Sequence, residues 1–359
     1  MRKKVFLNGR FLTQPVTGVQ RYAYEIVMGL DDLIEKGEIK KDEFDFVLIY
    51  SGKIHNPIQL KNISLFKKGI LKGNLWEQLE MPLYTFNRLL INMCTIAPLL
   101  KRKQFVVVHD ASFVVNPQYF TFLFRTWYKI AISILGQTAR QILTVSQFSK
   151  QELIKHLRIN ENKISVINSS ADHMKKIQEP GTAFKQKIDT LKPYCLAVSS
   201  LSANKNFKSL SNAFGKIEFQ NYKMLIAGGT SRSLQHAAPS KAVNYIGYVS
   251  DEELKYLYSN ASLFIFPSFY EGFGLPPVEA MYLGCPVVAS NTSSIPEVLG
   301  DACEYFNPHD ENDIADKIQE CIENEGKLNN LKQKGFINAK KYTWENNTIK
   351  MFKLIKQFV

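Results

Sequence analysis

Residues 268–280 read SFYEGFGLPPVEA and come directly after the apolar run Leu263–Phe266 and one proline. A short, continuous apolar run of this kind predicts a buried strand of a parallel sheet. Pro276 and Pro277 are preset for the first turn of a helix, which Gly284 ends. The stretch therefore predicts a strand, a glycine-broken loop and a helix, which is the repeating unit of an α/β fold.

The loop and the helix carry two carboxylates, Glu271 and Glu279. Backbone amides also lead into the helix, those of Gly272, Phe273, Gly274 and Leu275. Glycines let a ligand approach the backbone closely, and the free amides of a helix start attract a phosphate. Carboxylates accept hydrogen bonds from sugar hydroxyls, including those of a ribose. The stretch predicts a site for a nucleotide-sugar, although two glutamates at this spacing also occur by chance.

The longer run FYEGFGLPPVEAMYLGCPVVAS, residues 269–290, resembles the signature of the large family four of retaining glycosyltransferases, the glycosyl transferases group 1. The resemblance implies an α/β GT-B fold, with two Rossmann-like domains facing each other across a deep cleft. It implies an acceptor-binding domain over residues 1–178, a nucleotide-sugar-binding domain over 179–340, and a segment 341–359 that returns to the first domain as a helix. By the same resemblance, Glu271 contacts the donor sugar as a catalytic residue and Glu279 contacts the nucleotide ribose.

The composition is that of a globular chain of 359 residues, with 45% hydrophobic and 22% charged residues. The formal net charge of +12 indicates an anionic partner, which can be a phosphorylated ligand, a membrane surface or a nucleic acid. The five cysteines form no close pair and no metal-type spacing, which favours a reducing, cytoplasmic setting. The apolar run Val5–Leu7 is too short for a signal peptide and Leu89–Leu100 is too short to span a bilayer, so we expect no transmembrane helix.

Lys205 lies before a predicted helix, after the first predicted strand of the second half of the chain. A lysine placed there can neutralise a departing β-phosphate, and it can equally be an ordinary surface charge. Its loop resembles the family's glutamate-proline-arginine-lysine-asparagine element, which implies a catalytic role for Lys205. Asn204 stands in place of the arginine, so a paired cation does not carry over, and Arg232 is the candidate second cation for the donor.

His109 follows the predicted strand Gln104–Val108 at its carboxyl end, where doubly wound folds place ligand-binding groups. With Asp110 it resembles the family's histidine-aspartate element, which implies that His109 contacts the donor sugar during catalysis, whereas an isolated pair of this kind is usually structural. Gly18 opens the first long helix and with Arg21 resembles an early glycine-x-x-arginine element. The resemblance implies that Gly18 lies beneath the donor diphosphate.

Tyr248 and Val249 precede a helix-capping serine and resemble the family's turn that meets the nucleobase through its backbone. Because peptide groups rather than side chains would contact the base, the sequence leaves guanosine and uridine donors open.

Basic residues alternate with large apolar ones between Leu65 and Lys103. This mixture suits a surface that contacts anionic lipid, and ordinary amphipathic helices with solvated lysines produce the same pattern. In the family this region often faces a lipid-linked acceptor, and residues 74–78 (NLWEQ) resemble a recurring structural element.

Together these features predict a retaining, metal-independent glycosyltransferase that needs no cofactor. It would transfer a mannosyl, rhamnosyl, galactosyl or glucosyl group from a GDP- or UDP-linked sugar to a saccharide or lipid-linked saccharide, in O-antigen or capsule synthesis. We expect it in the cytoplasm or at the inner face of the plasma membrane, where an anionic membrane surface is a candidate partner. The alternatives are a GT-B sugar-nucleotide epimerase or phosphorylase, an inactive scaffold, and a basic nucleic-acid-binding protein, which the scarcity of arginine relative to lysine disfavours; no nucleic acid partner is expected.

Overall fold

The computed structural model describes residues 2–199, 202–217, 221–229 and 243–359. The chain divides into two compact units, the first formed by Met1–Ser169 with Trp344–Val359 and the second by Ser170–Thr343. The sequence predicts domain boundaries at 178/179 and 340/341. In the structure the chain passes from the first unit to the second after Ser169 and returns to the first after Thr343.

The first unit is a parallel sheet wound by helices. Its strands are β1 (Lys3–Asn8), β2 (Phe44–Tyr50), β3 (Ser64–Lys67), β4 (Leu89–Asn92), β5 (Gln104–Val107), β6 (Gln141–Thr144) and β7 (Ile164–Val166). Its helices up to the second unit are α1 (Gly18–Glu35), α2 (Gly73–Leu75), α3 (Met81–Tyr84), α4 (Ser112–Val115), α5 (Phe122–Thr138) and α6 (Gln147–Leu157), with a π-helical turn at Trp76–Glu80. Among the described residues the strand order is β3-β2-β1-β4-β5-β6-β7. The direction of winding reverses between β1 and β4, so their carboxyl ends form the topological switch point, where open α/β sheets bind ligands.

The second unit has the same architecture. Its strands are β8 (Tyr194–Val198), β9 (Lys223–Ala227), β10 (Val243–Gly247), β11 (Leu263–Phe266), β12 (Val287–Ser290) and β13 (Glu304–Phe306). Its helices are α7 (Thr182–Asp189), α8 (Phe207–Lys216), α9 (Asp251–Asn260), α10 (Leu275–Tyr282), α11 (Ile295–Leu299), α12 (Glu311–Glu323) and α13 (Glu325–Ala339). The described strands are parallel, in the order β10-β9-β8-β11-β12-β13, and the winding reverses between β8 and β11. The strand predicted from the apolar run is β11, and all four of its residues are buried.

The last helix, α14 (Trp344–Phe358), completes the first unit. The ring of Phe352 meets that of Phe44 on β2 edge to face, at 5.0 Å between centroids. On the same helix, the buried side chain of Thr348 lies against Gly29 of α1, where even a methyl group would overlap with it. The close contact between α1 and α14 therefore requires glycine at position 29 for reasons of space.

Candidate active site

The site that the sequence predicts in the second unit lies at its topological switch point. Strands β8 and β11 are neighbours there, with Cys195 beside Leu263 and Leu196 beside Phe264. Because parallel strands end at the same edge of a sheet, the loops that follow β8 and β11 come together. The first of these loops carries Lys205 and the second carries Glu271.

Lys205 and Glu271 form an ion pair in which Nζ lies 2.6 Å from Oε1. Only 17% of the lysine side chain and 14% of the glutamate side chain are exposed, so the pair is largely removed from water. Next to the lysine, Asn206 adopts a left-handed conformation (φ 56°), and its buried side chain donates to the carbonyl of Pro308 at 2.8 Å. This anchor fixes the turn Ala203–Lys205 and hence the direction of the lysine.

The loop that carries Glu271 is held by hydrogen bonds on both sides. Its amide donates to the hydroxyl of Ser293 (3.0 Å), and its carbonyl accepts from the hydroxyl of Ser294 (3.0 Å). Two residues earlier, the amide of Phe269 donates to the carbonyl of Asn204 at 2.9 Å, which ties the two loops together. The backbone of Glu271 is therefore fixed, and its carboxylate is held by the ion pair with Lys205.

The start of α10 follows Glu271 closely in the sequence and provides further backbone amides. Gly274 caps the helix with φ 87°, a conformation that favours glycine, and Leu275 is the first helical residue. The first N–H groups of a helix have no partner within it, but Pro276 and Pro277 carry no N–H. The donors at this end of the helix are therefore the amides of Gly274 and Leu275, preceded in the loop by Gly272 and Phe273.

Glu279 lies one turn into α10 and is buried, with 6% of the residue exposed. Its Oε2 accepts a hydrogen bond from the Tyr258 hydroxyl (3.1 Å), and its Oε1 lies 3.3 Å from Nε2 of the buried His173. Burial, and then the adjacent carboxylate, raise the pKa of Tyr258, so its hydroxyl stays protonated and donates. The carboxylate thus accepts a hydrogen bond from one side chain and lies close to a second, and the sequence analysis singled out neither of them.

Three of the other residues predicted to bind the donor lie in two loops of the second unit. Asn204 accepts a hydrogen bond from the Ser202 hydroxyl (2.6 Å) in the loop after β8. Tyr248, which is 77% exposed, and Val249 join the end of β10 to the start of α9. Arg232 lies outside the described residues.

In the first unit, His109 follows the end of β5 and is partly buried. Its Nε2 lies 3.0 Å from the carbonyl of Met93, and its ring meets Tyr22 edge to face. Burial lowers the pKa of His109 to about 4, against the opposing effect of the Met93 carbonyl. The ring is therefore neutral at physiological pH; Nε2–H donates to Met93, and Nδ1 is left in its acceptor form.

Gly18 is the first residue of α1, and a methyl group at this position would have no neighbour within 4 Å. Neither its conformation nor its packing requires glycine in the absence of a ligand. The position of Gly18 beneath the donor diphosphate therefore stays a prediction.

Beside the carboxyl end of β1, Glu77 is fully buried within the stretch 74–78. Its carboxylate accepts from Asn8 Nδ2 at 2.7 Å and forms an ion pair with Arg10. Burial raises the pKa of Glu77, and the contacts with Arg10 and Asn8 oppose that shift. This network joins β1 to the π-helical turn and so positions the loop that precedes α1.

A family model described as glycosyl transferases group 1 matches residues 179–337. Over 263 residues the chain is 30% identical to the O-antigen chain mannosyltransferase B of Escherichia coli. The aligned region covers 69% of this chain and 69% of that protein. The chain belongs to the glycosyl transferases group 1. This glycosyltransferase is also 33% identical, over 224 residues, to the O-antigen chain mannosyltransferase RfbU of Salmonella typhimurium, covering 60% of this chain and 59% of the relative.

The glycosyltransferase has the GT-B fold that the resemblance implied. Its structure matches a crystal structure of Anabaena HepE in complex with UDP-glucose with a TM-score of 0.71 and 16% identity, over 99% of each chain. At this identity the match concerns the fold alone. Both observed units are parallel α/β sheets, in agreement with the predicted class.

Of the residues that sequence analysis proposed for this glycosyltransferase, Lys205, Asn204 and Glu271 come together in the second unit, and α10 begins four residues after Glu271. Gly18 and His109 belong to the first unit. Sequence analysis missed His173 and Tyr258 around Glu279, because a lone histidine and a helical tyrosine carry no local signal of a site. Within the described residues, no group of three or more histidine, cysteine or carboxylate side chains is arranged to hold a metal ion.

Proposed function

We propose that this glycosyltransferase moves a mannosyl group from a nucleoside-diphosphate mannose to a saccharide or lipid-linked saccharide acceptor in O-antigen synthesis. The choice of mannose rests on two O-antigen chain mannosyltransferases to which the chain is similar. The choice of a nucleotide-linked donor is supported by the UDP-glucose bound to a protein of the same fold. GDP-mannose is the first donor to test, and UDP-glucose is the comparison.

The observation that carries the proposal is the Lys205–Glu271 ion pair at the switch point of the second unit. A transfer from a nucleoside diphosphate leaves negative charge on the departing phosphate, and a fixed cation stabilises that charge as it develops. Lys205 is fixed by Glu271 on one side and by the anchored turn on the other. The backbone amides of Gly274 and Leu275, which follow Glu271 closely in the sequence, add uncharged hydrogen-bond donors.

In this mechanism Glu271 orients the lysine and accepts hydrogen bonds from the sugar. A carboxylate held 2.6 Å from an ammonium group is a poor nucleophile, because its negative charge is already partly neutralised. We therefore propose that the acceptor hydroxyl attacks the anomeric carbon from the same face that the diphosphate leaves, through an oxocarbenium-like transition state and with retention of configuration. The bond from the anomeric carbon to the diphosphate breaks, and the departing diphosphate oxygen takes the proton of the acceptor hydroxyl. Neutral His109 would accept a hydrogen bond from a sugar hydroxyl through Nδ1.

The charge of the leaving group is met by Lys205 in this proposal, so we expect transfer to continue after divalent cations are removed. Activity that is abolished by a chelator and restored by manganese would contradict metal independence. Retention is read from the anomeric configuration of the product by nuclear magnetic resonance.

The direct test compares mannosyl transfer by Lys205→Ala with that of the unaltered protein, using GDP-mannose and a mannose-terminated saccharide. Loss of one stabilising donor from a transition state typically lowers kcat by about 10²–10³-fold, and we expect a loss of that size with a smaller change in KM. The matched control is Lys334→Ala, which removes a lysine paired with Asp301 at 3.0 Å in the same unit. Unchanged turnover in Lys205→Ala would refute the role of the lysine, and product formed from the donor alone would indicate an epimerase instead.

A lipid-linked acceptor would bring the enzyme to the inner face of the plasma membrane. Between residues 65 and 103 the structure exposes large apolar side chains, including Ile70 (91%), Phe86 (81%) and Leu100 (93%). These exposures support the membrane contact that the sequence suggested for this segment. Within the described ranges, none of the helices has both the length and the apolar character needed to cross a bilayer.

A further inference from the structure

A cavity of about 190 Å³ lies in the first unit, where the neighbouring strands β1, β4 and β5 begin. Lys3 and Leu89, which line it, are the first residues of β1 and β4, and Lys103 directly precedes β5. The switch point is at the carboxyl ends of β1 and β4, so the cavity lies at the opposite edge of the sheet. Five of the residues that line the cavity are basic, namely Arg2, Lys3, Lys4, Arg88 and Lys103.

Negative charge balances these five cations only in part. Lys4 forms an ion pair with Asp45, at 3.1 Å between Nζ and Oδ2. In the part of the chain that the structure describes, the other four basic side chains have no carboxylate within 4.0 Å. Val359 also lines the cavity and adds a carboxylate, and it follows the end of α14, where a helix carries about half a negative charge. Together these groups offset about half of the positive charge, so an excess of about two to three charges remains.

A neighbouring lysine shows the effect of this positive charge. Lys101 is 8% exposed, and its Nζ donates to the carbonyl of Thr85 at 2.7 Å. Burial, and then the positive charge of Lys103, lower the pKa of Lys101 to about 8. The charge of Lys103 therefore acts on a neighbouring cation, which is unfavourable until an anion binds between them and the other basic groups.

The charge and the size of the cavity identify the kind of ligand. A guanidinium group can donate two parallel hydrogen bonds to one phosphate group, and lysines add compact charges with several donors. A monovalent anion would leave part of the excess charge unbalanced, whereas one phosphate group carries about 1.5–2 negative charges at pH 7. The cavity is smaller than the roughly 300–1,000 Å³ of sites that take drug-sized ligands, so it suits a small anion better than a whole nucleotide.

We propose that this cavity binds a small, free anion of the phosphate class that carries two or more negative charges, such as diphosphate. The anion would join Arg88 before β4 and Lys103 before β5 to Arg2 before β1. Because like charges repel at close range, the bound anion would stabilise this edge of the first sheet. The site does not depend on which sugar is transferred or on the role of Lys205.

The test is a calorimetric titration of the full chain with diphosphate at constant ionic strength, repeated with inorganic phosphate. Lys205→Ala is titrated alongside, so that diphosphate bound at the candidate active site is distinguished from diphosphate bound in the cavity. We expect saturable binding to one site in Lys205→Ala, and at least a tenfold weaker affinity when Arg88→Ala and Lys103→Ala are added, because two charged donors are lost. The matched control adds Arg125→Ala and Lys129→Ala instead, which removes one arginine and one lysine of α5 that do not line the cavity.

Thermal unfolding without phosphate shows whether the two cations have a structural role instead. The variant Arg88→Ala with Lys103→Ala should unfold at the same or a higher temperature, because repulsion among the cations is relieved. A clearly lower temperature would count against the site. No saturable binding to Lys205→Ala, or equal binding by the cavity variant and the control, would overturn the proposal. Binding to vesicles that contain a phosphorylated lipid, without binding of free diphosphate, would overturn it as well and assign the cavity to a lipid head group.

Discussion

Replacing Glu279 by glutamine tests whether the buried carboxylate on α10 holds the nucleotide ribose. Glutamine keeps the length of the side chain and an oxygen that accepts from Tyr258, and it removes the negative charge. In the structure one carboxylate oxygen accepts from the Tyr258 hydroxyl at 3.1 Å, and the other lies 3.3 Å from Nε2 of His173. The substitution therefore changes what the group can offer a ribose more than it changes the surrounding packing.

The size of the effect follows from the hydrogen bonds at stake. A hydrogen bond to a charged group contributes about 1.5–3 kcal/mol, and the amide retains one acceptor. We expect a net loss of about 2–3 kcal/mol in binding, or roughly 30- to 150-fold in Kd. Isothermal titration calorimetry with GDP and UDP, and with their 2′,3′-dideoxy analogues, measures this loss directly. The unaltered protein should lose at least this factor when the ribose hydroxyls are removed, and Glu279→Gln should distinguish the two forms of the nucleotide by a much smaller factor.

Two results would refute this reasoning. If the unaltered protein binds the dideoxy nucleotide as tightly as the ribonucleotide, the ribose does not contact a strong acceptor. If Glu279→Gln weakens both forms equally, the carboxylate acts on the fold of the site and not on the diol. Tyr258→Phe serves as the control, since it removes the hydrogen bond to the carboxylate and leaves the charge and the ring, which packs on Phe264, in place.

Three further predictions concern the first unit. Glu77→Ala leaves Arg10 without its buried partner, so urea denaturation should show a loss of about 3–5 kcal/mol, and a loss below about 1 kcal/mol would contradict the ion pair's structural role. Gly29→Ala should lower the thermal unfolding temperature because the added methyl group overlaps with Thr348, although alanine in a helix is otherwise favoured over glycine by about 1 kcal/mol. A raised unfolding temperature would contradict the packing described. A second substitution, Thr348→Ala, should restore the unfolding temperature of the variant. Because burial lowers the pKa of His109 to about 4 from the usual 6.5, the unfolded chain binds a proton first as pH falls. Stability should therefore decline between about pH 6.5 and pH 4, by an order of 3 kcal/mol for this group, and His109→Gln should flatten that decline; an unchanged pH profile would argue against a buried neutral ring.

The fold could be predicted wherever a strand coincides with a bounded apolar run. Leu263–Phe266 is such a run, and the structure has a strand with the same bounds. Strand β4 was not predicted, because its four residues begin the longer apolar stretch Leu89–Leu100. The strand and the buried loop after it are both apolar, so the sequence does not show where the strand ends. Strand β3 was also not predicted, because it lies at the edge of the sheet and most of its side chains are exposed, so it lacks an apolar signal.

The site could be predicted only as far as local motifs extend. Glu271 and Glu279 lie in one recognisable motif, and Lys205 lies in another. The distance in space between Lys205 and Glu271 could not be predicted, because 66 residues separate them in the sequence. Sheet topology brings the two loops together, and that topology depends on the whole second unit. His173 shows what could not be predicted: no predicted motif includes it, and only the packing of its short helical turn beside α10 reveals that it lies next to Glu279.

The helix α14 belongs to the first unit, although the ribosome makes it after every residue of the second. While the chain is being synthesised, the sheet that begins at Lys3 lacks the cover that Phe352 and its neighbours later provide for Phe44. The second unit is a single continuous stretch of the chain. All its strands and helices have been synthesised before Trp344 is added, so it can fold without waiting for a later segment. In a nascent chain the second unit can therefore fold completely before the first. The sheet of the first unit keeps an uncovered apolar face until α14 has been synthesised.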